Sequence, residues 1–200
     1  PPRVPVHGGA RLTHTVTLLD MLKDDVIAGF GLVHRLDRDT SGAIALVRGE
    51  ELRAVTSERF RDPDGGVEKV YDALVDGTPV PDTGEIDLPL TAPEYRGKAR
   101  VDATDGRPAR TRYVTTETFG DASRLRLELL TGRTHQIRAH LAAMGCPILG
   151  DAISGHRNGD AVRLMLHAAA LEIELPDKKK LALEAPVPVE FEDKRIELGL

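Results

Sequence analysis

The chain holds one cysteine, Cys146, which excludes an internal disulfide and a cysteine-rich metal site. Such sparing use fits a reducing compartment, and the expected location is cytoplasmic. Tryptophan is absent, and four Phe and three Tyr are the only other aromatic residues besides histidine in 200 positions. Aliphatic side chains must therefore fill most of the core. No apolar run approaches the roughly 20 residues of a membrane span, and the opening PPRVPVHGGA lacks the apolar stretch of a signal peptide. No membrane partner is expected. A surplus of positive charge is missing as well, because the formal net charge is −5. That argues only weakly against nucleic acid, since binding depends on where cations lie and not on their sum.

What remains is an ordinary soluble composition, 40% hydrophobic and 30% charged. The length suits one domain, taken as residues 1–200, with a sizeable core. TVTLLDMLKDD has helical spacing with Thr15 as its cap, and AIALV (43–47) reads as a buried strand. EELRAVTSERF follows as a helix with Leu52, Val55 and Phe60 turned inward. VEKVYDALVDG reads as a strand with Val67, Lys69, Tyr71, Ala73 and Val75 on one face. Short strands at GEIDLPL and KARVDA precede two longer ones, ARTRYVTTET and SRLRLELL. THQIRAHLAAMG is a helix with Ile137, Leu141 and Met144 on one stripe and Gly145 at its end. RLMLHAAALEIEL and LALEA supply late strands, with a solvated turn at DKKK between them. The fold class expected is α+β, a mixed and largely antiparallel sheet with flanking helices.

Chemistry-bearing residues gather in three places: HRLDRDTSG at 34–42, Tyr71, and TGRTHQIRAH at 131–140, which has no acidic residue. A metal site fits poorly. His135 and His140 are five apart, where a shared helix face wants three or four, and no carboxylate stands beside them. Ser41 lacks the G-x-S-x-G setting of a nucleophile, and no phosphate-cradling G-x-x-x-x-G-K-[ST] occurs. A carboxylate attended by arginines is left, with Asp37 as the carboxylate and Arg138 as a helix-borne cation able to favour its ionised form. The plainer readings, a turn residue for Asp37 and a surface helix residue for Arg138, stand beside it.

Taken together, HRLDRDTSG, EKVYDALVDG (68–77) and GRTHQIRAHLAAMGCPILGD (132–151) resemble the RluA family of RNA pseudouridine synthases. LMLHAAAL and LEAPVP resemble its closing strands, so the likeness spans about Val6 to Pro188. The resemblance implies isomerisation of uridine to pseudouridine in ribosomal or transfer RNA without a cofactor. A monomer is expected, and no metal, given the histidine spacing. It makes Asp37 the catalytic aspartate, acting as nucleophile or as base. It sets Tyr71 against the uracil, where it helps move the C5 proton, and has Arg138 hold Asp37 ionised. Leu36 joins Tyr71 in lining the base pocket, and Thr40 shapes the loop with Ser41 and Gly42. His34 and Arg35 meet the RNA backbone or the gap left by a flipped base, and Arg133 and His135 contact phosphate or form a helix-start network. The alternative is a non-catalytic RNA-binding module on the same fold, but such a module would have no need of Asp37. The chain also departs from the family. It opens on Pro1-Pro2-Arg3 with no initiator Met, without the Lys-Pro pair common before an HGG-like segment, and no S4-type domain is visible. An N-terminally truncated catalytic domain is the expectation.

Overall fold

The computed structural model describes residues 17–21, 29–92, 99–152, 161–175 and 178–199. Its first helix, α1 (Leu18–Met21), starts at Thr17. The Thr17 hydroxyl accepts the Asp20 N–H, and the Asp20 carboxylate accepts the Thr17 N–H at 2.8 Å, a reciprocal cap. The expected cap, Thr15, lies outside the described residues.

AIALV is not one strand. β1 (Phe30–Leu32) pairs antiparallel with β3 (Leu46–Arg48), whereas β2 (Ser41–Gly42) joins a different sheet. The backbone between them bonds elsewhere: Ala43 N–H donates to the Ala168 carbonyl, and Ala45 N–H to His34 Nε2. Helix α2 (Glu50–Arg61) buries Thr56 and Phe60 but leaves Leu52 and Val55 more than half exposed, at 55% and 53%. Leu52 and Thr56 share the Phe60 stripe, yet only the stripe's C-terminal part is covered. Phe60 packs with Val33, Ala45, Leu171 and Ile173, and Val55 falls off that line.

β4 (Val67–Asp76) lies at the middle of a seven-stranded sheet with β5 (Thr83–Asp87), β6 (Arg110–Phe119), β7 (Ala122–Leu129), β8 (Leu166–Glu174) and β9 (Lys180–Glu184). The order is β2-β8-β4-β7-β6-β5, with β9 also on β8. All pairs are antiparallel except β2 with β8. The α+β reading with a largely antiparallel sheet is borne out. Helix α3 (Gln136–Ala143) sets Ile137 and Leu141 into the core formed by Ala73, Val75, Leu125 and Leu127.

Helix α4 (Val189–Leu198) was not expected from the sequence. Only Phe191 and Lys194 are buried on it, while Val189 and Ile196 are exposed, so its apolar residues trace no single stripe. No helix among the described residues is long and apolar enough to cross a membrane.

Candidate active site

The loop carrying Asp37 is held at both ends. Leu36 is buried against Ala168 with Tyr71 packed alongside, so the residue before Asp37 is an anchor in the core. Thr40 N–H then donates to the Asp37 carbonyl at 3.0 Å and closes a turn. Beyond it, a buried chain of hydrogen bonds ties Ser41 to β8. His167 Nε2 faces the Ala185 carbonyl and must carry the proton, so Nδ1 accepts from the Ser41 hydroxyl at 2.8 Å. The same hydroxyl accepts from Arg163 Nη2 at 2.6 Å. Burial lowers the His167 imidazole below its usual value and keeps that tautomer neutral. Gly42 is needed for this docking. Its φ is +124°, and a Cβ there would sit 2.2 Å from the Ala168 carbonyl oxygen.

Arg138 approaches from α3. The expectation made Asp37 its partner, but its principal partner is Asp151, a residue the sequence reading passed over. Nε donates to one Asp151 oxygen at 3.0 Å and Nη2 to the other, a bidentate pair with both groups buried. Asp37 meets the free edge of the same guanidinium, 3.7 Å from Nη1. His135 Nε2 stands 3.8 Å from the other Asp37 oxygen. His135 is the N-cap of α3 with φ +55°, a left-handed backbone seldom taken by residues with a Cβ. Its Nδ1 and the Thr40 hydroxyl are buried with no hydrogen-bond partner among the described residues.

Gln136, also missed, builds the other wall. Its carboxamide uses all its capacity, accepting from the Thr131 hydroxyl and Arg133 N–H and donating to the Arg110 carbonyl and the Thr111 hydroxyl. Thr111 passes its proton to His140 Nδ1, and His140 Nε2 donates to the Leu88 carbonyl. Both His140 nitrogens are thereby occupied in the scaffold. Arg133 donates to the Pro108 carbonyl at 3.0 Å and so belongs in part to this helix-start network.

These walls enclose a cavity of about 460 Å³. Asp37, Tyr71, Arg138, His34, Arg35, Leu36, Thr40, Arg133 and His135 all line it, so every candidate converges on one place. The Tyr71 phenol is pushed up from its usual value, by burial first and then by the Asp37 carboxylate. It remains protonated at ordinary pH and can donate a hydrogen bond. His34 serves the scaffold as well as the cavity wall: it stacks on Phe60 with centroids 4.5 Å apart and accepts the Ala45 N–H at 2.8 Å. Burial lowers it to about 4, with the Lys69 charge adding to the effect.

That shift has a testable sign. The unfolded chain takes up a proton at His34 near pH 6.5, whereas the folded chain resists until about pH 4. Stability from this group is present above pH 6.5 and is lost as pH falls towards 4, by at most about 1.4 kcal/mol per pH unit. His34→Gln, which retains an acceptor for Ala45, should flatten the decline in Tm over that window.

A family model described as RNA pseudouridylate synthase matches residues 1–143. The chain belongs to the RluA family of RNA pseudouridine synthases. It is 42% identical over 150 residues to the dual-specificity RNA pseudouridine synthase RluA of Escherichia coli, covering 72% of this chain and 67% of that one. It is 41% identical over 195 residues to an uncharacterized RNA pseudouridine synthase of Chloroflexus aurantiacus, covering 94% and 60%. With the ribosomal large subunit pseudouridine synthase C of Vibrio cholerae the identity is 35% over 196 residues, covering 94% and 61%. The chain thus spans about 60% of the length of these last two relatives. Among solved structures, human RNA pseudouridylate synthase domain containing 4 superposes with a TM-score of 0.77 at 25% identity, over 100% of this chain and 87% of that one. Human RNA pseudouridylate synthase domain containing 1 gives 0.71 at 30% identity, over 92% and 78%.

Within this RluA-family chain, a signal for Asp151 was available. Gly150 precedes it with φ +73°, and a Cβ there would lie 2.0 Å from the Arg163 carbonyl oxygen. The CPILGD segment therefore makes a tight turn that delivers a carboxylate beside α3. His167 carried a weaker signal, as a lone polar residue within an apolar strand.

Proposed function

We propose that this chain is the catalytic domain of an RNA pseudouridine synthase, acting on uridine in ribosomal or transfer RNA as a cytoplasmic monomer. One observation carries the reading: a single carboxylate, Asp37, faces the cavity between Arg138 and His135 with the Tyr71 phenol close by. The uridine leaves the stack to enter, at a cost of a few kcal/mol met by contacts in the pocket. Asp37 attacks or deprotonates the ribose as the C1′–N1 bond breaks. Leu36 and the Tyr71 ring hold the freed uracil and keep out water that would trap the sugar. C5 then bonds to C1′, displacing the Asp37 ester or, in the base route, as Asp37 returns its proton to C2′, so the carboxylate is regenerated. The C5 proton passes by way of the Tyr71 hydroxyl to solvent, and uracil N1 takes up a proton. A carboxylate and a shaped pocket suffice for each step, so no cofactor or metal is required.

The test is release of tritium from RNA labelled at uridine C5, in EDTA and without added nucleotide. Turnover is expected. Binding without release would support the alternative of a non-catalytic RNA-binding module, and activity restored to a chelated enzyme only by zinc or magnesium would contradict the cofactor-free scheme.

Tyr71→Phe should preserve the fold while slowing release by about a hundredfold, the lower end of what a positioned proton-transfer group contributes. Tyr71→Ala should be slower still, because the uracil loses its apolar wall. Equal and full activity in both variants, measured under single-turnover conditions, would reduce Tyr71 to a packing residue.

A further inference from the structure

Lys69 is a second polar feature of the cavity, and the proposed chemistry leaves it unused. It precedes Tyr71 by two positions on β4, and both side chains line the same space. Its sequence neighbour Glu68 instead pairs with Lys180 outside the cavity. The Lys69 ammonium makes one long hydrogen bond, 3.4 Å to the Phe60 carbonyl, and no carboxylate among the described residues pairs with it. Burial lowers it from the usual lysine value, as expected of a cation taken out of water without a counter-ion. Next to Phe60, at the end of α2, the exposed Arg61 lines the same end of the cavity and has no ion-pair partner among the described residues.

The charge balance points the same way. Arg35, Arg61, Lys69, Arg133 and Arg138 line the cavity against one carboxylate, Asp37, in a chain whose net charge is −5. Arg138 is already matched by Asp151 and Asp37, which leaves Arg35, Arg61, Lys69 and Arg133 without a carboxylate among the described residues, and of these only Lys69 is not exposed. A flipped nucleotide must be held in register by its backbone, because contacts to phosphate position a nucleic acid while the pocket reads the base. Two residue steps along the strand set Lys69 roughly 7 Å from Tyr71, a span of the same order as from a base to an adjoining phosphate.

We infer that Lys69, with Arg61, binds the phosphate next to the target uridine. The inference rests on the synthase reading, and salt dependence separates the two. Binding of a single-stranded RNA oligonucleotide containing one uridine is followed by anisotropy against salt, using Asp37→Asn protein so that the RNA is not consumed. Lys69→Met should weaken binding several-fold at low salt and make the log–log slope shallower by about 0.7, the share of one single-strand phosphate. Its Tm should not fall, because a half-buried cation without a counter-ion has been removed. Arg61→Gln should also make the slope shallower. Slopes unchanged in both variants overturn the inference, as does a lower Tm for Lys69→Met with an unchanged slope. Should Lys69→Met fail to fold, Arg61→Gln decides alone, and an unchanged slope there overturns it. Wild-type protein that binds RNA with a Lys69-dependent slope but releases no tritium would overturn the synthase reading and leave the phosphate site standing. Wild-type protein that binds no RNA overturns both.

Discussion

Asp37→Asn should lower tritium release by at least about a thousandfold, which corresponds to roughly 4 kcal/mol in the barrier. The amide has the shape of the carboxylate but can neither attack nor accept the ribose proton. Folding should be nearly untouched. The contacts that the described residues give the Asp37 carboxylate are ion-pair distances of 3.7 and 3.8 Å, not hydrogen bonds, and the side chain is partly exposed. The loop is secured by Leu36, Ser41 and Gly42, and its closing turn uses the Asp37 backbone carbonyl. Circular dichroism and RNA binding should therefore match wild type while product formation vanishes. An Asp37→Asn enzyme with wild-type turnover would sink the assignment.

Arg138→Ala should cost both turnover and stability, for two separable reasons. Asp37 loses the cation at 3.7 Å. Asp151, 0% exposed, loses its bidentate partner, and breaking a buried pair in this way costs about 3–5 kcal/mol. Arg138→Lys should recover part of the activity, since one ammonium cannot serve both carboxylates through a planar fork. The double variant Arg138→Ala with Asp151→Ala separates the two effects. Removing both charges should bring Tm back most of the way, whereas tritium release should stay at the level of Arg138→Ala. If the double variant regained activity along with stability, Arg138 would matter only as the partner of Asp151.

The long motifs made much of this site legible. HRLDRDTSG, Tyr71 and HQIRAH carry distinctive side chains, and all of them meet in one cavity. Strand periodicity also marked β7, where Leu125, Leu127 and Leu129 share one face, β4, and β6, whose inner face carries Thr111 and Tyr113. What escaped was relational. AIALV has the composition of a strand, but its backbone is shared between two sheets and a histidine side chain, which no periodicity records. Leu52 and Val55 look like core residues until the end of the covered stripe is known. Arg138 could be assigned to Asp37 because both stood in strong motifs. Asp151 sits after a loop glycine, and only the folded chain brings it to Arg138. Helix α4 went unread because Phe191 alone brings a large apolar side chain fully into the core.

The parallel pairing of β2 with β8 bears on when the protein becomes competent during synthesis. Asp37 and Tyr71 leave the ribosome early, yet the strand between their elements is β8, and Ser41 finds His167 across 126 positions. A nascent chain ending before Ala168 has the carboxylate and the phenol but not the docked loop, because Leu36 has no Ala168 to pack against. Closing so distant a contact is slow relative to local structure, so a growing chain carries the Asp37 carboxylate for some time before its loop can dock on β8. Completion of the site thus waits on β8, and the seating of the Asp37 loop and the packing of Leu36 on Ala168 arrive together.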